Sequence, residues 1–351
     1  MLLGHVLELK GQLHEAADHY QHVIEHAAER RDLAIHNRIL LAGILYEWNA
    51  LQEAEAQLAQ AIAESPSVVA STLLARGVLS LALVLQARIK QAQEEHEAAR
   101  SLLRQAMTVT QQQRHPQYLA YAQAAQVRFW LTHGQVETVT RWREEEGRAS
   151  SDTTPGYEHE PDALTLARVL IAQGEPEEAL RLLESFRDLA RTQRRMTSEL
   201  EILVTSALAH SRRSQTDEAL HNVQQALSLA EPEGYVRLFV DEGVPMLTLL
   251  RLALARGPGK PWARYARRLL SVLEAEHPEQ AEQLPWLQVP LSRRERTILR
   301  LLAAGRSTAE MAAELVVSAN TIKTQVSGLY HKLNVHNRQE ALAEAVRLHL
   351  L

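Results

Sequence analysis

From Ser318 to Leu333 the chain reads SANTIKTQVSGLYHKL, and two kinds of residue alternate there with a helical period. Ile322, Val326, Leu329 and Leu333 fall at i, i+4, i+7 and i+11, which makes one continuous apolar stripe. Left for solvent are Asn320, Lys323, Thr324, Ser327, Gly328 and His331, all slender or hydrogen-bonding. The chemistry open to such a face is recognition. It fits a DNA major groove without steric conflict and carries donors and acceptors for base edges and phosphates.

Two other stretches have the types and spacing of chemical sites. HVIEH, His22 to His26, matches the inverted zinc-protease pattern, and a helix would put both histidines on one face with Glu25 beside them. No third ligand accompanies them, and the surrounding HEAADHYQHVIEHAAERR is polar at every outward position, so a solvated helix flank is the better reading. ARGPGKPW, Ala255 to Trp262, has the flavour of a phosphate-binding loop. It lacks the first glycine at the required spacing, and Pro261 stands where the loop needs a Ser or Thr for Mg²⁺, so it reads as a linker. There is no G-x-S-x-G and no cysteine nucleophile. Neither an enzyme nor a cofactor or metal site is expected.

The elements that must position the opening stretch are bounded by their caps. Ser292 with Glu295 forms a capping box, and Gly305 ends the helix carrying Ile298, Leu299, Leu301 and Leu302. Ser307 with Glu310 opens a short helix through Leu315, with Met311, Ala312 and Leu315 inward. After a turn at Val316 and Val317, Ser318 caps the third helix; Asn337 with Glu340 opens a fourth that runs to the terminus. A short helix, a brief turn and a slender-faced helix make a helix-turn-helix arrangement.

Here the sequence resembles the LuxR/FixJ-type (GerE) DNA-binding domain, through LSRRER, LLAAGRS, EMAAEL, VSANTIK, LYHKLNV and RQEA in order over nearly all of Leu291 to Val346. That resemblance implies double-stranded DNA as partner and base-edge contacts from Lys323, Thr324 and Ser327. It implies phosphate contacts from Thr321 and Gln325 at the helix shoulder, from the backbone near Thr308 and from Lys332. Gln325 replaces a histidine common in the family, Gly328 leaves a bare spot, and Asn334 replaces the usual Gly after the helix. Ala341, Leu342, Ala345 and Val346 form a stripe on the fourth helix that either packs on the core or makes the homodimer contact of relatives.

The body of the chain is repetitive. A short phrase recurs as GQLHEA at Gly11, NALQEA at Asn49, QEEHEA at Gln93, GQVETV at Gly134, GEPEEA at Gly174 and SQTDEA at Ser214, at nearly even intervals. Each lies between helical stripes such as Leu164, Ala167, Leu170 and Ile171 before it and Ala179, Leu180, Leu182 and Leu183 after it. The unit is a helix hairpin, and stacked hairpins make a solenoid, similar to tetratricopeptide repeats but with a longer unit than theirs. A concave face that holds an effector or protein partner is the expected use. Glu144 to Asp162, rich in Gly, Ser, Thr, Pro and acid, reads as a mobile loop. With EPEGYVRLFVDEGVPM at Glu231 to Met246, the whole resembles the C-terminal half of large MalT-like regulators. Those carry an ATP-binding module ahead of the solenoid. No stretch here corresponds to it, so the chain reads as a fragment or a shortened relative, and ATP control is not implied.

Composition agrees with an all-α fold of this kind: aromatics are 5%, and Ala, Leu, Glu, Gln and Arg dominate. The net charge of −5 conceals an asymmetry, since residues 287–351 carry nine Lys and Arg against five Asp and Glu, leaving −9 for the rest. A mildly basic module on an acidic body suits nucleic-acid binding by the module alone. The N-terminus has no signal-peptide pattern, and the most apolar window, Val68 to Ala87, is interrupted by Arg76 and Gly77. No cysteine is present. A cytoplasmic protein without a membrane span is the expectation. The expected domains are a helical-repeat sensor at 1–230, a helical extension and linker at 231–290, and the DNA-binding domain at 291–351. The rival reading is a repeat scaffold for a protein partner whose terminal bundle only docks.

Overall fold

A left-handed residue ends the first helix of every repeat. In the computed structural model, φ is +75° at Gly11, +62° at Asn49, +63° at Glu94, +64° at Gly134, +83° at Gly174 and +58° at Ser214. At each, the amide of the left-handed residue bonds a carbonyl three back and the next amide one five back. Gly174 N–H reaches Ile171 O at 3.3 Å and Glu175 N–H reaches Leu170 O at 2.8 Å. This satisfies carbonyls that a helix end leaves open and turns the chain back. Five residues further on stands a small residue with no room around it: Ala16, Ala54, Ala99, Ala179 and Ala219 are fully buried, and Val139 nearly so. In the third repeat the left-handed residue is Glu94, not Gln93, and from there to Ser214 the repeats are evenly spaced.

The structure describes residues 2–27, 30–64, 73–113, 116–144, 156–279, 293–315, 317–333, 335 and 337–347. Among them it is all helical, with no strand, and it divides into two units, Met1–Glu276 and His277–Leu351. Among the described residues the first holds six hairpins: α1 (Leu2–Leu9) with α2 (Leu13–His26), α3 (Arg31–Glu47) with α4 (Leu51–Glu64), α5 (Leu73–Ala92) with α6 (His96–Gln113), α7 (Pro116–Thr132) with α8 (Val136–Trp142), α9 (Glu160–Ala172) with α10 (Pro176–Thr192), and α11 (Met196–Arg212) with α12 (Thr216–Ala230). The first helices of successive hairpins touch in order, α3 to α5 to α7 to α9 to α11.

This array closes on itself, because α1 packs against α11. Thr197 Oγ1 donates to Glu8 O at 2.5 Å, and Gly11 lies so close to Met196 that a Cβ there would sit 2.1 Å from its Cε. Gly11 therefore serves both the left-handed turn and this approach.

Residues 231–276, expected to be an extension and linker, belong to the same unit. After a 3-10 turn at Glu231–Glu233 come α13 (Arg237–Val240), α14 (Val244–Arg256) and α15 (Ala263–Glu276); α13 meets α3 and α11, and α14 packs on α11 and α12. Tyr235, Val236, Phe239 and Val240 are all buried. Residues 280–292 lie outside the described residues. ARGPGKPW is the α14–α15 connection, anchored by buried Trp262.

The mobile-loop reading of Glu144 to Asp162 holds for none of its described C-terminal part. Residues 145–155 lie outside the described residues, but Tyr157–His159 forms a 3-10 turn and α9 starts at Glu160, which is buried in an ion pair with Arg195. The Arg195 guanidinium also sits over the Tyr157 ring, 5.2 Å from its centroid. Burial and a buried cation order these residues against their local composition. Among the described residues no helix is long and apolar enough to cross a membrane.

Candidate nucleic-acid interface

Among the described residues the second unit holds four helices whose bounds are set: α16 (Arg293–Ala303), α17 (Thr308–Glu314), α18 (Ala319–Leu333) and α19 (Arg338–Arg347). Three of their starts are made by the residues that the caps predict. Ser307 and Glu310 exchange both bonds of a capping box, at 3.3 and 2.7 Å. The backbone and side chain of Ser307 hold the Glu310 carboxyl below the usual range. Ser318 Oγ accepts from Thr321 N–H at 3.0 Å. Asn337 Oδ1 accepts from Glu340 N–H at 2.9 Å while its amide donates to Glu340 Oε1 at 2.6 Å. Ser292 lies outside the described residues.

The core gathers one stripe from each helix: Ile298, Leu299, Leu301 and Leu302, then Met311 and Ala312, then Ile322 and Leu329, then Ala341 and Ala345. Val326 packs on it half-buried; the side chain of Leu333 lies outside the described residues. Ala341 and Ala345 are wholly buried, so these two have no surface for a dimer contact, while Leu342 packs half-buried against the same core.

Burying that stripe leaves one side of α18 open. Asn320, Thr321, Lys323, Thr324, Ser327 and Gly328 are all exposed. The Thr324 hydroxyl donates to Asn320 O at 3.1 Å, which leaves its lone pairs free to accept. A Cβ on Gly328 would meet nothing within 4 Å. Gln325 is half-buried at the edge of this face, with its Oε1 shielded from solvent and without a hydrogen-bond partner. Thr308 is half-buried at the first residue of α17, beside the cap. The side chain of Lys332 lies outside the described residues. Thus Lys323, Thr324, Ser327 and Thr321 stand on one open face, and Gln325 at its margin.

Two arginines of this unit do work that its sequence did not suggest. Arg338 donates to Leu302 O and, at 3.3 Å, to Arg306 O, closing the end of α16. Arg294 Nη2 donates to Leu315 O at 3.3 Å at the end of α17. Cations near carbonyl ends are the available signal, but spacing along the chain does not say which end each one reaches.

Comparison with known proteins bears on this geometry. The family model described as MalT-like TPR region matches residues 1–256, and that for bacterial regulatory proteins of the luxR family matches residues 289–345. The chain belongs to the MalT-like, LuxR-type family. It is 27% identical over 325 residues to a protein described as HTH-type transcriptional regulator MalT from Serratia proteamaculans (strain 568), an alignment that covers 87% of this chain and 35% of that protein. The chain thus spans about a third of the length of this relative. In this MalT-like chain the matched luxR segment contains α16 to α18 and most of α19, including the whole open face.

The histidine pair of HVIEH lies on α2 with ring centroids 4.1 Å apart, and His26 Nδ1 meets His22 O at 2.8 Å. Among the described residues no group of three or more His, Cys, Asp or Glu is placed to hold a metal ion.

Proposed function

We propose that the chain is a DNA-binding transcriptional regulator in which α18 enters the major groove while α17 spans the backbone, with the repeat unit responding to a signal or partner. One observation carries this reading. The only long helix of the second unit whose described outer face is free of acid and of bulk follows a capped short helix and a brief turn. Lys323, Thr324 and Ser327 are the base-edge readers; Thr321, Gln325, Lys332 and the amides at Thr308 are the phosphate contacts. A cytoplasmic setting and the absence of catalysis accompany this reading.

The test is a titration of the full chain against a random duplex pool, with recovery of the bound sequences. A preferred sequence should emerge, and log K should fall linearly with log salt, at about 0.9 per neutralised phosphate. Replacing Lys323 and Thr324 together by Ala should flatten the sequence preference while salt-dependent binding to any duplex persists. Absence of binding even at low salt would overturn the proposal and leave the scaffold reading.

A further inference from the structure

Three arginines occupy one and the same repeat position. Arg88, Arg128 and Arg168 each stand six positions before the left-handed residue that ends their helix, one repeat apart, on the adjacent helices α5, α7 and α9. All three reach one dipeptide, Asp241–Glu242, just after α13. Arg88 Nη2 lies 3.1 Å from Asp241 Oδ2; Arg128 Nη2 and Arg168 Nη2 lie 3.0 and 3.1 Å from Glu242 Oε1. On α3, Tyr46 donates its hydroxyl to Asp241 Oδ2 at 2.8 Å. On α11, Glu201 faces Arg128 at 3.6 Å and Arg168 at 3.3 Å. Four successive inner helices therefore converge on two carboxylates, and the fifth joins them through the arginines.

The dipeptide is tied onward as well. Arg237, nearly fully buried, bonds Asp241 at 2.6 Å, Glu276 at 2.5 Å and Asn49 Oδ1 at 3.2 Å. Glu276 is the last residue of α15 and of the first unit. Thr197, which bonds Glu8 O across the closure of α1 on α11, also bonds the Tyr235 hydroxyl at 2.9 Å. These are not surface pairs of little consequence. The Asp241 and Glu242 side chains are only 13% and 10% exposed, and burial would raise both carboxyls were it not outweighed, for Asp241 by Arg237 then Arg88, for Glu242 by Arg168 then Arg128.

We propose that Asp241–Glu242 is an internal ligand of the repeat array, a latch that closes it and couples its curvature to the end of α15. Apolar stacking of hairpins fixes nearest neighbours and leaves the curvature of the array free to vary. The arginine ladder removes that freedom, because five inner helices meet in this network only at one curvature. The surface that these helices share is thus occupied at this point by the chain itself. A signal that moves any one inner helix away from the turn is felt at Arg237, and through it at Glu276, where the chain leaves for the second unit. The latch does not depend on DNA binding, and its test reads the first unit with the second as a control.

The chain has no cysteine, so two can be introduced for nitroxide labels without background. Lys10→Cys and Gln193→Cys, both at exposed positions, flank the α1–α11 closure. In the otherwise native full chain, pulsed electron resonance should give one narrow distance. With Asp241→Asn and Glu242→Gln the distribution should broaden and lengthen. Amide exchange in α13 and α15 should accelerate on the order of a hundredfold, as uncompensated buried arginines imply, while α16 to α19 keep their protection. Leu58→Ala, a buried residue of α4 outside the network, should leave the label distance unchanged. If the double variant loses its helical circular dichroism, Glu242→Gln alone keeps Asp241 and is read the same way. A folded variant with native distance and native exchange overturns the latch.

Discussion

Gly328 gives up helix stability on the open side of α18. It sits inside α18 at an exposed position, and a Cβ there would meet nothing within 4 Å. In an exposed helix interior, glycine is less favourable than alanine by about 0.8–1.0 kcal/mol. Gly328→Ala should therefore raise the stability of the second unit by roughly that amount, seen as a higher denaturant midpoint with an unchanged slope. The core half of α18 was legible from the sequence, because Ile322, Val326 and Leu329 recur at helical spacing and pack as that spacing demands. The tuning of the face was not. That the Thr324 hydroxyl is turned to the Asn320 carbonyl, and that Gln325 Oε1 is shielded and unpaired, depend on rotamers that spacing does not contain. Ala341 and Ala345 could be placed on a stripe but not on a partner, since core and dimer stripes have the same period.

At the scale of elements, the helix ends carried more information than the helix bodies. Every repeat phrase marks a left-handed residue, yet at Asn49, Glu94 and Ser214 that residue is not glycine. An L side chain in this conformation costs roughly 1 kcal/mol or more. Glu94 is exposed, and Glu94→Gly should stabilise the first unit by up to about 1 kcal/mol, less the added freedom of the unfolded chain, measured as a shift in thermal midpoint. The hairpins, the capping boxes and the helix-turn-helix were readable because each is set by residues within a few positions of one another. The short α13 and the start of α9 were not, since what orders them comes from afar: Glu160 is held by Arg195, and α13 is surrounded by α3, α11 and α15. Local composition at Glu144 to Asp162 favoured a loop, and tertiary burial overrode it after residue 155.

For the whole molecule, the acidic excess of residues 1–286 includes carboxylates that the fold needs ionised. Asp241 and Glu242 are held below their ordinary values, so their contribution to stability is fully present above about pH 4.5 and is lost as the pH falls through the depressed values. Glu47 works against this: burial, with Asp241 and Glu201 adding, raises its carboxyl, and acid relieves it. Two groups outweigh one, and the first unit should lose helical signal on acidification below about pH 4.5, as followed by circular dichroism. A transition independent of pH in that range would contradict the sign. The recurrence of arginine at 88, 128 and 168 was present in the sequence, but only the left-handed residues put the repeats in a register where it becomes visible.

The latch also orders events in time. Hairpin contacts join neighbours in the chain, whereas the Arg88 and Tyr46 bonds to Asp241 span 153 and 195 residues. As the chain leaves the ribosome, hairpins can form one after another, but none of the inner helices can be fixed in curvature until α13 has emerged. Synthesis therefore produces an open array first, and its inner arginines face water until the last carboxylates arrive.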